Sequence, residues 1–452
     1  MLCTLKRDVG LTILAMLVSM TTATASAGDT ATEPVMLSPD LPHDVMVTPH
    51  KPVVTLDSLQ HDFDRLSWET FVALNWPANI DGTRADSKIG DKKDNLALWE
   101  LWKEDYEIFV APGDKPKPWG MPRQAPEGCS EACRTQFNEQ QEKRSTAGEP
   151  IVTVLEASIE PFDSGPLVDQ NGRHARFEIL VNKVMFDQIV SEDLYTKSGQ
   201  AGQKKNVSFK CSNKDPSEGE VTFGAIMVKA AWKLLSQAEI DAGRFHTKDA
   251  FVYTRAGDVP IVKEHCEVAT VGLVGLHIVH KTKTRPQWVW STFEHVDNCP
   301  TQGSDTSKGY SFFTNGGRGL AVNAPPMPPW HPNRVEPPER RSRVVRMIPV
   351  TDDAEMLNDR FQKALGNSVW ANYKLISTQW PANRAKGCDV KASAPVDVIG
   401  TPAPQFLGNS TLETYLPGQV PNASSSCMEC HANATTTDGR FSDFTFLLLR
   451  AR

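Results

Sequence analysis

The chain has 452 residues, of which 40% are hydrophobic and 23% charged. That is enough apolar material for a large core, and the balance excludes a disordered chain or a repeat solenoid. Its 55 Asp and Glu against 48 Lys and Arg give a formal net charge of -7, which argues against nucleic acid as a partner and is compatible with a basic one.

The first 27 residues read as an export leader. Lys6 and Arg7 form a charged start, Val9 to Met20 a short apolar run, and Ala25-Ser26-Ala27 a small-residue cleavage site. The run falls short of the roughly 20 residues that span a bilayer, so cleavage after Ala27 is expected rather than anchoring. Cys3 is lost with the leader, and removing Lys6, Arg7 and Asp8 takes away a charge of +1 and leaves -8. No other apolar segment has spanning length, so the expected mature chain is a periplasmic protein with no membrane span.

Residues 28–55, rich in Thr, Pro and Asp, read as an extended arm. An α+β body is expected over 56–386. It opens with a helix in which Phe63, Leu66, Phe71 and Leu74 share a face, ended by Trp76-Pro77. A second amphipathic stretch, from Leu96 through Trp99, Trp102 and Tyr106 to Phe109, predicts inward-facing aromatic residues. Residues 112–149 read as a polar loop. From Ile151 the period becomes two: strands are expected at 151–155, around a turn at Asp169-Gln170-Asn171-Gly172, and at 207–210, 221–228, 250–253 and 270–279. Lys229 to Ile240 reads as a helix among them. After a Pro-rich connector, helices are expected at Asp352–Leu365, capped by Thr351 or Asp352, and at Val369–Ile376. The sum is a large, mostly antiparallel sheet with flanking helices, followed by a C-terminal segment over 387–452.

Eight cysteines follow the leader. Cys129, Cys133, Cys211, Cys266, Cys299 and Cys388 form an even set that an oxidising compartment can pair, with Cys129 and Cys133 placed to pair locally. The other two belong to Cys427-Met428-Glu429-Cys430-His431. This C-x-x-C-H spacing lets two thiols capture haem vinyl groups while the adjacent imidazole reaches the iron. One covalent haem c is therefore expected on Cys427 and Cys430, with His431 as proximal iron ligand. A rival four-thiolate zinc site from Cys129, Cys133, Cys427 and Cys430 leaves His431 without a role.

The motif resembles that of c-type cytochromes. In the small class I members of that family a methionine well downstream supplies the sixth ligand, but here the 21 residues after His431 (452 minus 431) include neither methionine nor histidine. The resemblance therefore does not extend to a stand-alone all-α class I cytochrome c, and the rest of the pocket must come from the body. Phe441, Phe444, Phe446 and Leu447 to Leu449 are expected to cover one haem edge. The segment Val271 to Asn298, with Gly-Leu-His-Ile-Val-His-Lys-Thr and Trp-Val-Trp-Ser-Thr-Phe-Glu-His, is similar to stretches of larger secreted bacterial cytochrome c family proteins that carry no assigned substrate.

On a strand His277 and Val279 face one side and Ile278 and His280 the other, so one of the two histidines enters a shared pocket. His280 and His295 are the preferred haem-pocket candidates, Met347 and Met356 weaker iron ligands. His277, His280, His295 and Glu294 are also the residue types of a non-haem metal site. Two functions follow. Electron transfer needs a protein sixth ligand and a redox partner protein or small-molecule donor or acceptor. A peroxide- or oxygen-dependent enzyme needs an open sixth position and a distal base, a role for His280, His295 or Glu294. A redox or diatomic-ligand sensor is a third reading. No nucleophile elbow, phosphate loop, dinucleotide fingerprint or H-E-x-x-H motif accompanies these residues.

Overall fold

The computed structural model describes residues 35–46, 56–90, 96–146, 152–156, 164–214, 217, 221–258, 261–315, 321–383, 401–415 and 425–452. Residues 1–27, read from the sequence as an export leader, and residues 387–400 lie outside them. Met36 to Arg452 form one compact unit.

The chain begins with α1 (Leu56–Leu74), β1 (Lys103–Glu104), α2 (Asp105–Ile108), α3 (Glu131–Thr146), β2 (Thr153–Leu155) and β3 (Arg176–Val181). Then come α4 (Lys183–Ser191), α5 (Lys197–Gly202), β4 (Ile226–Leu234), α6 (Gln237–Ala242) and β5 (Thr247–Thr254). A small ribbon of β6 (Gly257–Asp258) and β7 (Ile261–Val262) leads to β8 (His265–His280) and β9 (Val289–His295). The last elements are α7 (Asp352–Leu365), β10 (Tyr373–Pro381), β11 (Pro402–Ala403) and α8 (Cys427–His431).

Nine strands form one sheet in the order β1-β3-β4-β8-β9-β10-β11, with β5 also on β8 and β2 on β5. Every pairing is antiparallel except β2 with β5. The fold is thus α+β around a large antiparallel sheet, unlike an all-α cytochrome. Among the described residues no helix is long and apolar enough to cross a membrane.

Strand alternation sends Phe293 to one face of β9 and Trp290 to the other. On the first face α1 and α7 pack an aromatic layer: Phe71 stacks on Phe293 with ring centroids 4.3 Å apart, and Trp68 on Phe361 at 5.0 Å. Buried hydrogen bonds fix the register of α1, with Ser67 Oγ 2.6 Å from both Ser291 Oγ and Thr378 Oγ1. The second face, with Val279 and Trp290, packs against α4, Met428 and the C-terminal tail.

Several elements differ from their sequence pattern. Lys229 to Ile240 is not a helix: its first half is β4, buried on both faces between β3 and β8, and α6 starts only after Ser236, whose backbone N–H and hydroxyl both donate to Glu239. Sheet pairing on both edges outweighs the helical preference of Lys-Ala-Ala-Trp-Lys-Leu-Leu. Val369 to Ile376 likewise splits into one turn of 3-10 helix at Val369–Asn372 and β10. The stretch from Leu96 to Phe109 breaks into a 3-10 turn at Leu98–Leu101, β1 and α2. Conversely, the polar loop at 112–149 contains α3, whose buried face is only Cys133, Phe137 and Gln140, too narrow for periodicity to reveal.

Cys133 is bonded to Cys266 of β8, not to Cys129, so the local pairing is corrected. Cys129 and Cys299 are free thiols, and Cys211 is also disulfide-bonded. A disulfide at Cys133 removes the four-thiolate zinc reading as well.

Candidate functional site: a cavity beneath the C-x-x-C-H turn

The helical turn α8 places residues i, i+3 and i+4 on one face, so Cys427, Cys430 and His431 point the same way. Ser426 caps the turn by accepting from Glu429 N at 3.3 Å, and Gln379 of β10 accepts from Met428 N at 2.8 Å. Met428 itself is fully buried in the apolar cluster of the second sheet face. The thiols of Cys427 and Cys430 are free, and burial pushes the Cys427 thiol above its ordinary range.

His431 is held on three sides. Its ring lies 4.5 Å from that of Trp290 and 5.2 Å from that of Phe446, and Nδ1 donates to the Phe444 carbonyl at 2.8 Å. Burial brings its pKa down to about 4, partly opposed by the Phe444 carbonyl, so the ring is neutral at pH 7. With the proton on Nδ1, the Nε2 lone pair is left for a metal, the arrangement that fixes the tautomer of histidine ligands.

The Phe444 carbonyl is aimed by local backbone strain. Asp443 and Phe444 both have left-handed φ angles, 54° and 64°, uncommon for non-glycine residues. A buried ion pair holds them there. Lys281 Nζ donates to Asp443 Oδ1 at 2.7 Å and Oδ2 at 2.6 Å, and Phe209 N donates to Oδ2 at 2.6 Å. Both side chains are buried, so the tail is locked to the end of β8 by charge as well as by apolar packing.

Cys427, Cys430, His431, Trp290 and Phe446 line a cavity of about 660 Å³, within the range of pockets that take large organic groups. Its sheet floor is built from Ile179 of β3, Met227 and Lys229 of β4, His277 and Val279 of β8, and Trp290 of β9. Cys427, Cys430 and His431 close one side, with Phe446, Leu447 and Leu449 of the tail. The lining also includes the polar residues Glu104, Glu156, Glu178 and Arg255. Phe441, also expected to cover a haem edge, is 43% exposed and does not line the cavity.

The structure separates the two histidines of β8 as strand alternation requires, and His277 is the one in the cavity. The preferred candidates lie elsewhere. His280 shares a 2.9 Å hydrogen bond with Ser212 Oγ, and burial lowers its pKa to about 3. His295 stacks on Phe245 at 4.1 Å, donates from Nε2 to the Arg244 carbonyl at 3.2 Å and accepts from Asp297 N at 3.1 Å; burial lowers its pKa to about 4. Met356 is exposed, and Met347 lines a separate small cleft. Among the described residues no three His, Cys, Asp or Glu side chains gather as a metal-holding group, which removes the non-haem site of His277, His280, His295 and Glu294.

Glu294 has a different task. Paired with Arg346, it accepts from Ser410 N at 2.7 Å and so seats the segment 409–413 against the sheet. Gly275 permits that approach, because a Cβ there would collide with Thr411 Oγ1. The segment delivers Glu413, whose Oε2 lies 3.3 Å from His277 Nε2 and whose Oε1 lies 3.9 Å from Lys229 Nζ. Burial opposes ionisation of Glu413, but His277 and Lys229 hold its pKa below the ordinary carboxylate range. Met227, Lys229 and Glu413 carry no sequence signal of their own; only sheet register and this segment bring them to His277.

The residues fit a haem c: two free thiols at the required spacing, a neutral imidazole with its tautomer set, an aromatic neighbour and an apolar-walled cavity of suitable size all meet at one place. No protein-family model, curated protein or solved structure matches the chain.

Proposed function

We propose that the protein is a periplasmic monohaem c-type cytochrome that transfers electrons. Cys427 and Cys430 bind the haem through thioether bonds and His431 is its proximal iron ligand. The observation that carries this reading is the convergence of those three side chains on one cavity of about 660 Å³ whose floor is the central sheet. When bound, the haem supplies one-electron exchange at its iron. The protein's own part is to hold it in place, exclude water with Trp290, Phe446 and Leu447, and fix the His431 ring through the Phe444 carbonyl. The Cys133–Cys266 disulfide accords with an oxidising compartment, where haem c is attached.

A haem-enzyme reading draws on the polar part of the cavity lining, where Glu156 would face a substrate, Glu104 and Glu178 being held by Arg123 and Lys248. The ferric spectrum separates the two: low-spin iron indifferent to peroxide and carbon monoxide belongs to electron transfer, ligand-responsive iron to an enzyme or sensor. The haem reading itself is tested by expressing the full chain in a host that matures c-type cytochromes. The parent should keep haem on a denaturing gel and a Cys427→Ala/Cys430→Ala variant should lose it; haem retained by the variant sinks the assignment.

A further inference from the structure

We infer that His277 is the second axial ligand of the iron, so that the haem is held between two imidazoles. The inference rests on the haem reading above and deepens it. Across the strands His277 is paired with Lys229 of β4 and Thr292 of β9, which puts its ring on the cavity floor in the same patch as Val279 and Trp290. His431 enters from α8, a different element, so the two imidazoles line one space from separate walls.

The His277 side chain is 10% exposed, and its buried Nε2, 3.3 Å from Glu413 Oε2, makes no hydrogen bond. A bond to a metal in the cavity would give that nitrogen the partner it lacks as a hydrogen-bonding group. His280 and His295 have hydrogen-bond partners and lie elsewhere. Among the residues that line the cavity the other neutral iron-ligand type is Met227, and its side chain is packed into the apolar cluster with Val279, Trp290 and Met428. Lys229 and Glu413 beside His277 form an oppositely charged pair that adds little net charge next to the iron. Two imidazoles give low-spin iron whose ligands need not change with oxidation state, as electron transfer requires.

The test is electron paramagnetic resonance and optical spectroscopy of the ferric full-length holoprotein. The parent should show a low-spin bis-imidazole signal and no methionine-to-iron charge-transfer band. His277→Ala should lose the low-spin signal, become high-spin, and regain the low-spin spectrum when free imidazole is added; that rescue shows that the pocket has folded. His277→Met should stay low-spin and gain the methionine band, while Met227→Leu should stay low-spin. A high-spin parent, a His277→Ala protein that stays low-spin without imidazole, or a Met227→Leu protein that turns high-spin overturns the assignment while leaving haem c in place. A parent chain without covalent haem overturns the haem reading together with it.

Discussion

Replacing Asp443 by Asn removes the only negative charge within hydrogen-bond reach of Lys281 Nζ among the described contacts, while leaving an acceptor for Phe209 N. The Lys281 side chain is 0% exposed and that of Asp443 1%. Burial already pulls the Lys281 pKa below its ordinary value against the opposing pull of Asp443. An uncompensated buried charge costs about 3–5 kcal/mol, and with both side chains dry the upper half of that range applies. Lys281→Met strands the carboxylate instead and should cost about 3 kcal/mol, at the low end because Phe209 N and Trp288 Nε1 still donate to it. The double variant should cost no more than about the larger single loss, because neither charge then remains. Denaturant unfolding of the full chain reads this, with fluorescence and circular dichroism required to coincide before a free energy is taken. Trp288 lies beside the pair, its ring 5.4 Å from Lys281 Nζ, and reports locally. A loss below about 1 kcal/mol for Asp443→Asn, or single losses that add to within about 0.5 kcal/mol in the double variant, refutes the argument.

Two further outcomes are expected. Asp64 is buried with its pKa raised by burial from 3.8 to about 7, and Oδ2 makes no hydrogen bond. The native state therefore favours the protonated acid: there is no penalty below about pH 4, and stability falls by roughly 4 kcal/mol as pH rises through 7. Asp64→Asn should match the parent near pH 4 and be more stable at pH 8, by thermal unfolding; an equal gap at both pH values refutes the assignment. The Cys133–Cys266 bond closes a loop with a sequence separation of 133, so replacing both by Ala should lower stability by about 2–5 kcal/mol and open α3 to proteolysis, whereas Cys129→Ser should leave α3 protected.

What could be read from the chain differed by element. The helix at Asp352–Leu365 has a capping Thr351, three acidic residues in its first turn and a broad apolar stripe, and the structure keeps those boundaries, with Thr351 Oγ1 accepting from Ala354 N at 3.3 Å. The first helix ends at Leu74, just before Trp76-Pro77. By contrast β4 and α3 depart from their local pattern, because the first owes its conformation to partners on both edges and the second is mostly solvated.

At the cavity, local spacing determined that Cys427, Cys430 and His431 share a face, since an i, i+3, i+4 set on a helical turn needs nothing beyond that turn. Alternation along β8 likewise determined that His277 and His280 point apart. Which of them enters the cavity was a tertiary matter: it depended on which face of the sheet received the C-terminal tail. That choice was made by Lys281 with Asp443, by Gln379 with Met428, and by Glu294 seating the segment that carries Glu413. Each of these contacts joins residues more than 45 positions apart, and no local pattern along the chain encodes such pairings.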